Sequence, residues 1–199
     1  MKIWSAVMEG TDILKNKSIL SAQLDTEILM SKAINKNREY IILNYDEALN
    51  EENIKYFKKL VQERATKKPI AYILNKKFFW KNEFYVNKTT LIPRPDTEII
   101  VEQILKVTKN KNNLRILDIG VGSGCILLSI LKEKKNFYGI GIDISKNSLD
   151  ISRINAKKLF VEERVKFFQS DVDKFDQGKY DLVVSNPPYI KSSDLKYLE

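Results

Sequence analysis

From residue 114 onward, short apolar runs alternate with longer segments of helical spacing, and this alternation constrains the fold more than any other feature of the chain. Strands are expected at 115–119, 137–142, 165–169 and 182–185, and helices at 125–132 and 145–159. Strands joined by helix-length crossovers run parallel, and a parallel sheet is covered on both faces. The expected class is therefore α/β, with a doubly wound, mostly parallel sheet of Rossmann-like type. Such sheets bind ligands beyond the carboxyl ends of their strands, so the residues just past each run are the first candidates for function.

The first strand leads into Asp118-Ile119-Gly120-Val121-Gly122-Ser123-Gly124-Cys125. Glycines at alternate positions permit positive φ and let a ligand approach the backbone, while the helix start beyond them presents unpaired amides. The spacing is not the GxGxxG of pyrophosphate-binding folds, and tight strand-to-helix packing alone would also use glycines. Asp143 ends the second strand about 23 residues after Gly120, where a carboxylate can accept from two ribose hydroxyls. Its competing reading is a cap for the helix from Ser145. Asp118 can meet a cationic amino group, and Asp171, just past the third strand, can accept from an adenine amine. For each of these a turn or cap is the alternative.

The fourth strand runs into Asn186-Pro187-Pro188-Tyr189. Two successive prolines fix two φ angles and remove two backbone donors, keeping the carbonyls of Asn186 and Pro187 out of local turns. An amide oxygen and a neighbouring carbonyl can accept both hydrogens of a planar NH2 group, and Tyr189 offers a ring face to stack on it. The loop suits an amide or an aromatic amine.

Upstream, the spacing is helical from residue 4 to about 74, with Ala22, Leu24, Ile28, Leu29 and Ala33 as one apolar series and Ile54, Phe57, Leu60 and Val61 as another. Asp25-Thr26-Glu27 fits the first turn of a helix, where acidic residues meet the positive end of the dipole, and Lys67-Lys68-Pro69 ends a later helix. Residues 77–92 are aromatic and β-branched with a polar break at Lys81-Asn82-Glu83, the pattern of a hairpin whose aromatics fill its core. Leu91-Ile92-Pro93-Arg94-Pro95-Asp96-Thr97-Glu98 then reads as a join between domains, with Asp96 or Thr97 capping a helix at 99–107. The expected organisation is a helical domain over 1–76, a hairpin and linker over 77–95, and a ligand-binding domain over 96–199.

Composition narrows the chemistry. The chain has no histidine, and Cys125 is its one cysteine, which excludes an internal disulfide, imidazole catalysis and a zinc cluster. Cys125 is expected to be an inert packing residue, and no metal is expected. No apolar run approaches the roughly 20 residues of a membrane span, and the chain opens on no signal peptide, so the default location is cytoplasmic. The net charge of +8 is spread evenly, with 13 basic against 10 acidic residues over 1–76, 6 against 4 over 77–110 and 15 against 12 over 111–199. No run forms a basic arm, so no nucleic-acid partner is expected.

Taken together, these motifs resemble the class I methyltransferases that use S-adenosylmethionine, and more closely the glutamine methyltransferases that modify peptide chain release factors. The resemblance covers nearly the whole length: the helical domain, Ala71-Tyr72-Ile73-Leu74, the octapeptide at 91–98, the glycine turn, Asp143-Ile144-Ser145, Asn155-Ala156, Ser170-Asp171 and Ser185-Asn186-Pro187-Pro188-Tyr189-Ile190. It implies that Gly120, Val121, Gly122, Ser123 and Gly124 wrap the methionine part of S-adenosylmethionine. It places Asp118 at the amino group, Asp143 at the ribose, Asp171 and Val172 beside the adenine, and Asn186 at the cofactor's edge.

The same resemblance implies that Asn186, Pro187, Pro188 and Tyr189 hold the side-chain amide of the glutamine in a Gly-Gly-Gln loop, with Asn186, Pro187 and Tyr189 as the catalytic set. An amide nitrogen is a poor nucleophile, so the work is orientation, which can supply on the order of 7 to 11 kcal/mol without an acid or base. The expected partner is a release factor, the protein acting as a monomer. Two rival readings stand beside this one. The first is transfer to an exocyclic amine of a flipped DNA or RNA base. The second is a cofactor-binding piece without activity. Proteins of the family continue for several strands after the loop, whereas only residues 191–199 follow Ile190 here, which leaves the fourth strand at an open edge. On that reading the 199 residues alone are unstable and inactive.

Overall fold

The computed structural model of the chain describes residues 1–187 and divides into two compact units, residues 1–75 and residues 76 onward. The first unit is helical, with α1 (Ile3–Asn16), α2 (Ala22–Ile34), α3 (Arg38–Leu43), α4 (Glu51–Ala65) and α5 (Ile70–Leu74). Its core gathers Ile3, Val7, Leu14, Leu29, Met30, Phe57 and Leu60 from α1, α2 and α4. Helix ends follow from residue type. The side chains of Asn37 and Asn50 accept from the amides of Tyr40 and Asn53, capping α3 and α4. Beyond α4, Lys67 takes a left-handed φ of 66° ahead of Pro69, ending the helix where expected.

The second helix departs from the sequence reading. It begins at Ala22, so Asp25 lies in its first turn while Thr26 and Glu27 lie past it. Its inward face carries Asp25, Thr26 and Glu27 beside Ala22, Leu29, Met30 and Ala33, and Leu24 is exposed. The two carboxylates serve long-range pairs rather than the helix dipole. Asp25 accepts from Arg64 Nε at 2.7 Å and from the Ser21 hydroxyl at 3.0 Å, and Glu27 accepts from Arg38 Nε at 2.7 Å and Gln23 Nε2 at 3.1 Å. Acidic residues turn inward only when such partners compensate their desolvation, and nothing in the local periodicity announces a partner 39 residues away.

The second unit opens on an antiparallel hairpin, β1 (Lys76–Phe79) and β2 (Asn82–Tyr85). Its turn is Trp80-Lys81, with Trp80 at φ 56°. Asn82 and Glu83, expected in the break, are instead the first residues of β2, and the pairing ends at Tyr85 rather than running toward residue 92. Glu83 is at home in a strand because Lys158 and Lys76 meet it at 2.7 and 3.3 Å. Phe79 and Phe84 are buried and meet edge to face at 6.1 Å, as expected for core aromatics, while Phe78 is exposed. The hairpin, set apart in the sequence reading as a hairpin-and-linker segment over 77–95, groups with this second unit.

There follow α6 (Glu98–Val107), β3 (Arg115–Ile119), α7 (Cys125–Glu133), β4 (Tyr138–Asp143), α8 (Lys146–Lys158), β5 (Val165–Gln169) and β6 (Leu182–Ser185). The four strands are all parallel, in the order β5-β4-β3-β6. Asp181 sets the start of β6. Its carboxylate accepts from the Arg115 amide at 2.7 Å, and its own amide donates to the Arg115 carbonyl at 2.9 Å. Ile116, Val184, Leu127, Ile130, Leu131, Phe137 and Leu149 form one buried cluster between sheet and helices. The strand β6 is at the edge of the described sheet, with Val183 57% exposed. The chain is thus an α/β protein, with a helical unit and a hairpin ahead of its parallel sheet in sequence.

Candidate active site

From β3 the chain passes to β4 and β5 in one direction and then returns to lay β6 on the other side of β3. This reversal opens a crevice at the carboxyl ends of β3 and β6, the switch point at which open α/β sheets take their ligands. Asp118 and residues 120–123 line a small cavity there together with Asn186, Arg94 and Thr97.

Gly120, Gly122 and Gly124 have φ of 72°, 56° and 80°, all in the left-handed region that disfavours side chains. Their surroundings separate their roles. Among the described residues, a Cβ on Gly120 would meet nothing within 4 Å, and one on Gly122 only the Gly120 carbonyl at 3.8 Å, so none of them fills the space over this part of the turn. A Cβ on Gly124 would lie 2.7 Å from Leu128 Cδ1, which makes the third glycine a packing requirement of α7. The amides of Gly120 and Val121 both donate to the Ile142 carbonyl at 2.9 Å, fastening the turn to β4.

Asp143 joins the turn to the next strand. Its Oδ2 accepts from the Gly122 amide at 3.0 Å and its Oδ1 from the Ser145 amide at 2.9 Å. The cap of α8 is Ser145, whose hydroxyl oxygen accepts from the Ser148 amide at 3.2 Å. Each oxygen of Asp143 has capacity for a further hydrogen bond. Asp171 accepts from the Asp173 amide at 3.3 Å and caps a 3₁₀ turn at Val172–Lys174, with Val172 about half exposed. The capping role weighed for Asp171 is thus present, at the carboxyl end of β5.

Asp118 is buried. Burial pushes its carboxyl from 3.8 up to about 7, opposed by the Leu127 amide and reinforced by the negative charge of Asp143. The folded state therefore holds a proton that the unfolded chain releases near pH 4. This contribution to stability is complete below pH 4 and is lost as pH rises toward 7, by at most on the order of 4 kcal/mol. Asp118→Asn is expected to abolish the decline. Urea unfolding of both proteins at pH 4 and pH 7.5 checks this, and parallel stability profiles would refute it. For Cys125, burial pushes the thiol up to about 12, in keeping with an unreactive packing residue.

The end of β6 is tied to the end of β3, since the Ser185 hydroxyl donates to the Ile119 carbonyl at 2.9 Å. The next residue, Asn186, donates from Nδ2 to the hydroxyl of Thr97 at 3.3 Å. Thr97, read from sequence as a possible helix cap, makes no side-chain cap. A 3₁₀ turn at Pro95–Thr97 precedes α6, and the hydroxyl turns to Asn186 instead. Pro187 is the last described residue, and Pro188 and Tyr189 lie outside the described residues. The segment at 91–98, read as a join between domains, thus lines the cavity with Thr97 and Arg94. Sequence reasoning passed over Ser152 of α8 and named Asn155 only as part of the resemblance, without a role; the two hold the carbonyls of Gly122 and Ser123. Their one visible signal was polarity on the helix face that should have been apolar.

A family model described as the PrmC N-terminal domain matches residues 5–74, and one described as the Methyltransferase small domain matches residues 96–198. A Release factor glutamine methyltransferase of Leptospira interrogans is 37% identical over 196 residues, covering 96% of this chain and 68% of the relative. One from Buchnera aphidicola is 40% identical over 187 residues, covering 94% and 67%. A Bifunctional methyltransferase of Rickettsia conorii is 38% identical over 211 residues, covering 94% of this chain and 40% of the relative. The chain therefore spans about two fifths of the length of the last and about two thirds of the others. With both domains matched in order and the alignments running over nearly all of its residues, the chain belongs to the release factor glutamine methyltransferase family.

Proposed function

We propose that the protein transfers a methyl group from S-adenosylmethionine to the side-chain amide nitrogen of the glutamine in the Gly-Gly-Gln loop of a peptide chain release factor. The observation that carries the reading is the lateral order of the candidate groups. Because the sheet runs β5-β4-β3-β6, Asp171, Asp143, the glycine turn and Asn186 follow one another along its carboxyl edge. Three strand spacings give that row a length of about 14 Å. The parts of the cofactor follow the same order: adenine, ribose, then the methionine chain and its methyl group. The residues fit it, with space over Gly120 and Gly122 that no other described residue fills, a carboxylate at the end of β4 and a buried carboxyl at Asp118 for a cationic amine.

When bound, S-adenosylmethionine supplies an electrophilic methyl group. The chain's own residues supply placement. Thr97 holds the nitrogen end of the Asn186 amide and so fixes the plane in which its oxygen can accept from a substrate NH2 group. Pro187 contributes a carbonyl beside it, and Pro188 and Tyr189 complete the loop on the family pattern. The release factor as substrate is supported by the names of the Leptospira and Buchnera relatives. Asp143→Ala is expected to weaken S-adenosylmethionine binding about tenfold or more, as loss of a charged acceptor does. Titration calorimetry reads this directly, and equal affinity in the variant would remove Asp143 from the cofactor site.

A further inference from the structure

One face of α8 is polar where the fold calls for an apolar stripe. Ser148, Ser152 and Asn155, at the i, i+4 and i+7 spacing of one helical face, are all buried, Ser152 and Asn155 completely. Each is bonded to a carbonyl outside the helix. Ser148 donates to Thr89 at 3.1 Å, and Ser152 donates to Gly122 at 2.7 Å. Asn155 donates from Nδ2 to Ser123 and to Tyr85, both at 2.9 Å, while its Oδ1 accepts from the Tyr85 amide at 2.7 Å. The Asn155 amide thus pairs with β2 as a neighbouring strand would and uses its remaining N–H on the glycine turn.

We propose that Ser152 and Asn155 are positioning residues for the cofactor site, which set the peptide planes of the glycine turn and join that turn to the hairpin strand leading into the Thr97 segment. A trans peptide is planar, with the carbonyl of one residue opposed to the amide of the next. Holding the Gly122 carbonyl against α8 therefore turns the Ser123 amide away from the helix. Holding the Ser123 carbonyl does the same for the amide of Gly124. A turn with three residues at positive φ has many alternative plane orientations, and two buried donors on a rigid helix select one of them. Asn155 extends the constraint to β2, upstream of the segment whose Thr97 anchors Asn186. The groups expected to meet cofactor and substrate are thereby referred to a single helix.

This inference rests on the cofactor reading above, and the test separates the two. The chain is compared as wild type, Ser152→Ala and Ser148→Ala, by calorimetry with S-adenosylhomocysteine and by amide hydrogen exchange without ligand. Ser148→Ala is the control, because it removes an equivalent buried hydroxyl that touches Thr89 and not the turn. Ser152→Ala is expected to weaken binding about tenfold and to speed exchange at Gly122 and Gly124 by a similar factor, with the sheet amides of Leu117 and Ile140 unchanged and Ser148→Ala like wild type at the turn. Unchanged exchange at Gly122 and Gly124 in Ser152→Ala, or an equal effect in Ser148→Ala, overturns the proposal. If wild type fails to bind S-adenosylhomocysteine, the cofactor reading fails, while the exchange comparison still decides whether Ser152 sets the turn. Asn155→Asp, which loses both donors, is expected to show the larger effect at the same amides.

Discussion

Asn186→Ala is expected to lower methyl transfer by roughly 10² or more while leaving affinity for S-adenosylmethionine within a few-fold of wild type. The amide contributes through placement. It is anchored at its nitrogen end by Thr97 and carried by a strand whose end is tied to β3 through Ser185. Loss of one preorganised polar contact of this kind costs about 2.7 to 4 kcal/mol in the transition state. On the proposed reading, the ground-state position of the cofactor depends mainly on groups along β3, β4 and β5. Single-turnover rates at saturating cofactor, set beside calorimetric affinities, check the split. Transfer at the wild-type rate would remove Asn186 from the reaction, and a parallel loss of cofactor affinity would reassign it to cofactor binding.

The second large effect concerns stability of the helical unit. Arg64→Ala is expected to destabilise the chain by about 3 to 5 kcal/mol, because it strands the carboxylate of Asp25, whose side chain is 6% exposed, with the Ser21 hydroxyl as its remaining side-chain donor among the described residues. Against a total stability of about 5 to 15 kcal/mol for a typical domain, this is a large fraction. The contrast is Lys68→Ala. Lys68 meets Glu63 at 2.7 Å with both side chains substantially exposed, and a pair of that kind is worth at most about 1 kcal/mol. Urea midpoints of the two variants should therefore differ widely. Similar midpoints would show that Asp25 finds another partner or reaches water.

The parts of the chain that were legible in its sequence share a physical cause. Strands of a covered parallel sheet are rich in apolar residues, so 115–119, 165–169 and 182–185 stand out against the helical spacing around them, and the observed strands β3, β5 and β6 occupy those limits. Glycines that need positive φ, prolines that remove donors and carboxylates at strand ends are each tied to a backbone position. That is why the glycine turn, Asp143 and Asn186 could be placed along one edge before any coordinates were known. What escaped was decided by partners far away in sequence. The inward acids of α2 follow from Arg64 and Arg38, Glu83 sits in a strand because Lys158 reaches it, and Thr97 leaves its helix for Asn186. The hairpin turn at Trp80-Lys81 carries neither Gly nor Asn, so the usual turn chemistry gave no sign of it. Ser152 and the role of Asn155 were hidden for the opposite reason, since polar residues on a helix are ordinarily read as solvent-facing.

The central claim is that the NH2 group held at Asn186 belongs to a glutamine of a release factor. The most direct measurement offers the protein methyl-labelled S-adenosylmethionine together with a release factor, the same factor with its Gly-Gly-Gln glutamine changed to alanine, and DNA and RNA, and locates the label by peptide mass spectrometry and scintillation counting. The account predicts label in the unaltered factor, confined to the glutamine of the Gly-Gly-Gln loop as a single added methyl group, with none in the altered factor or in nucleic acid. Label in DNA or RNA, or equal labelling of the altered factor, would contradict it.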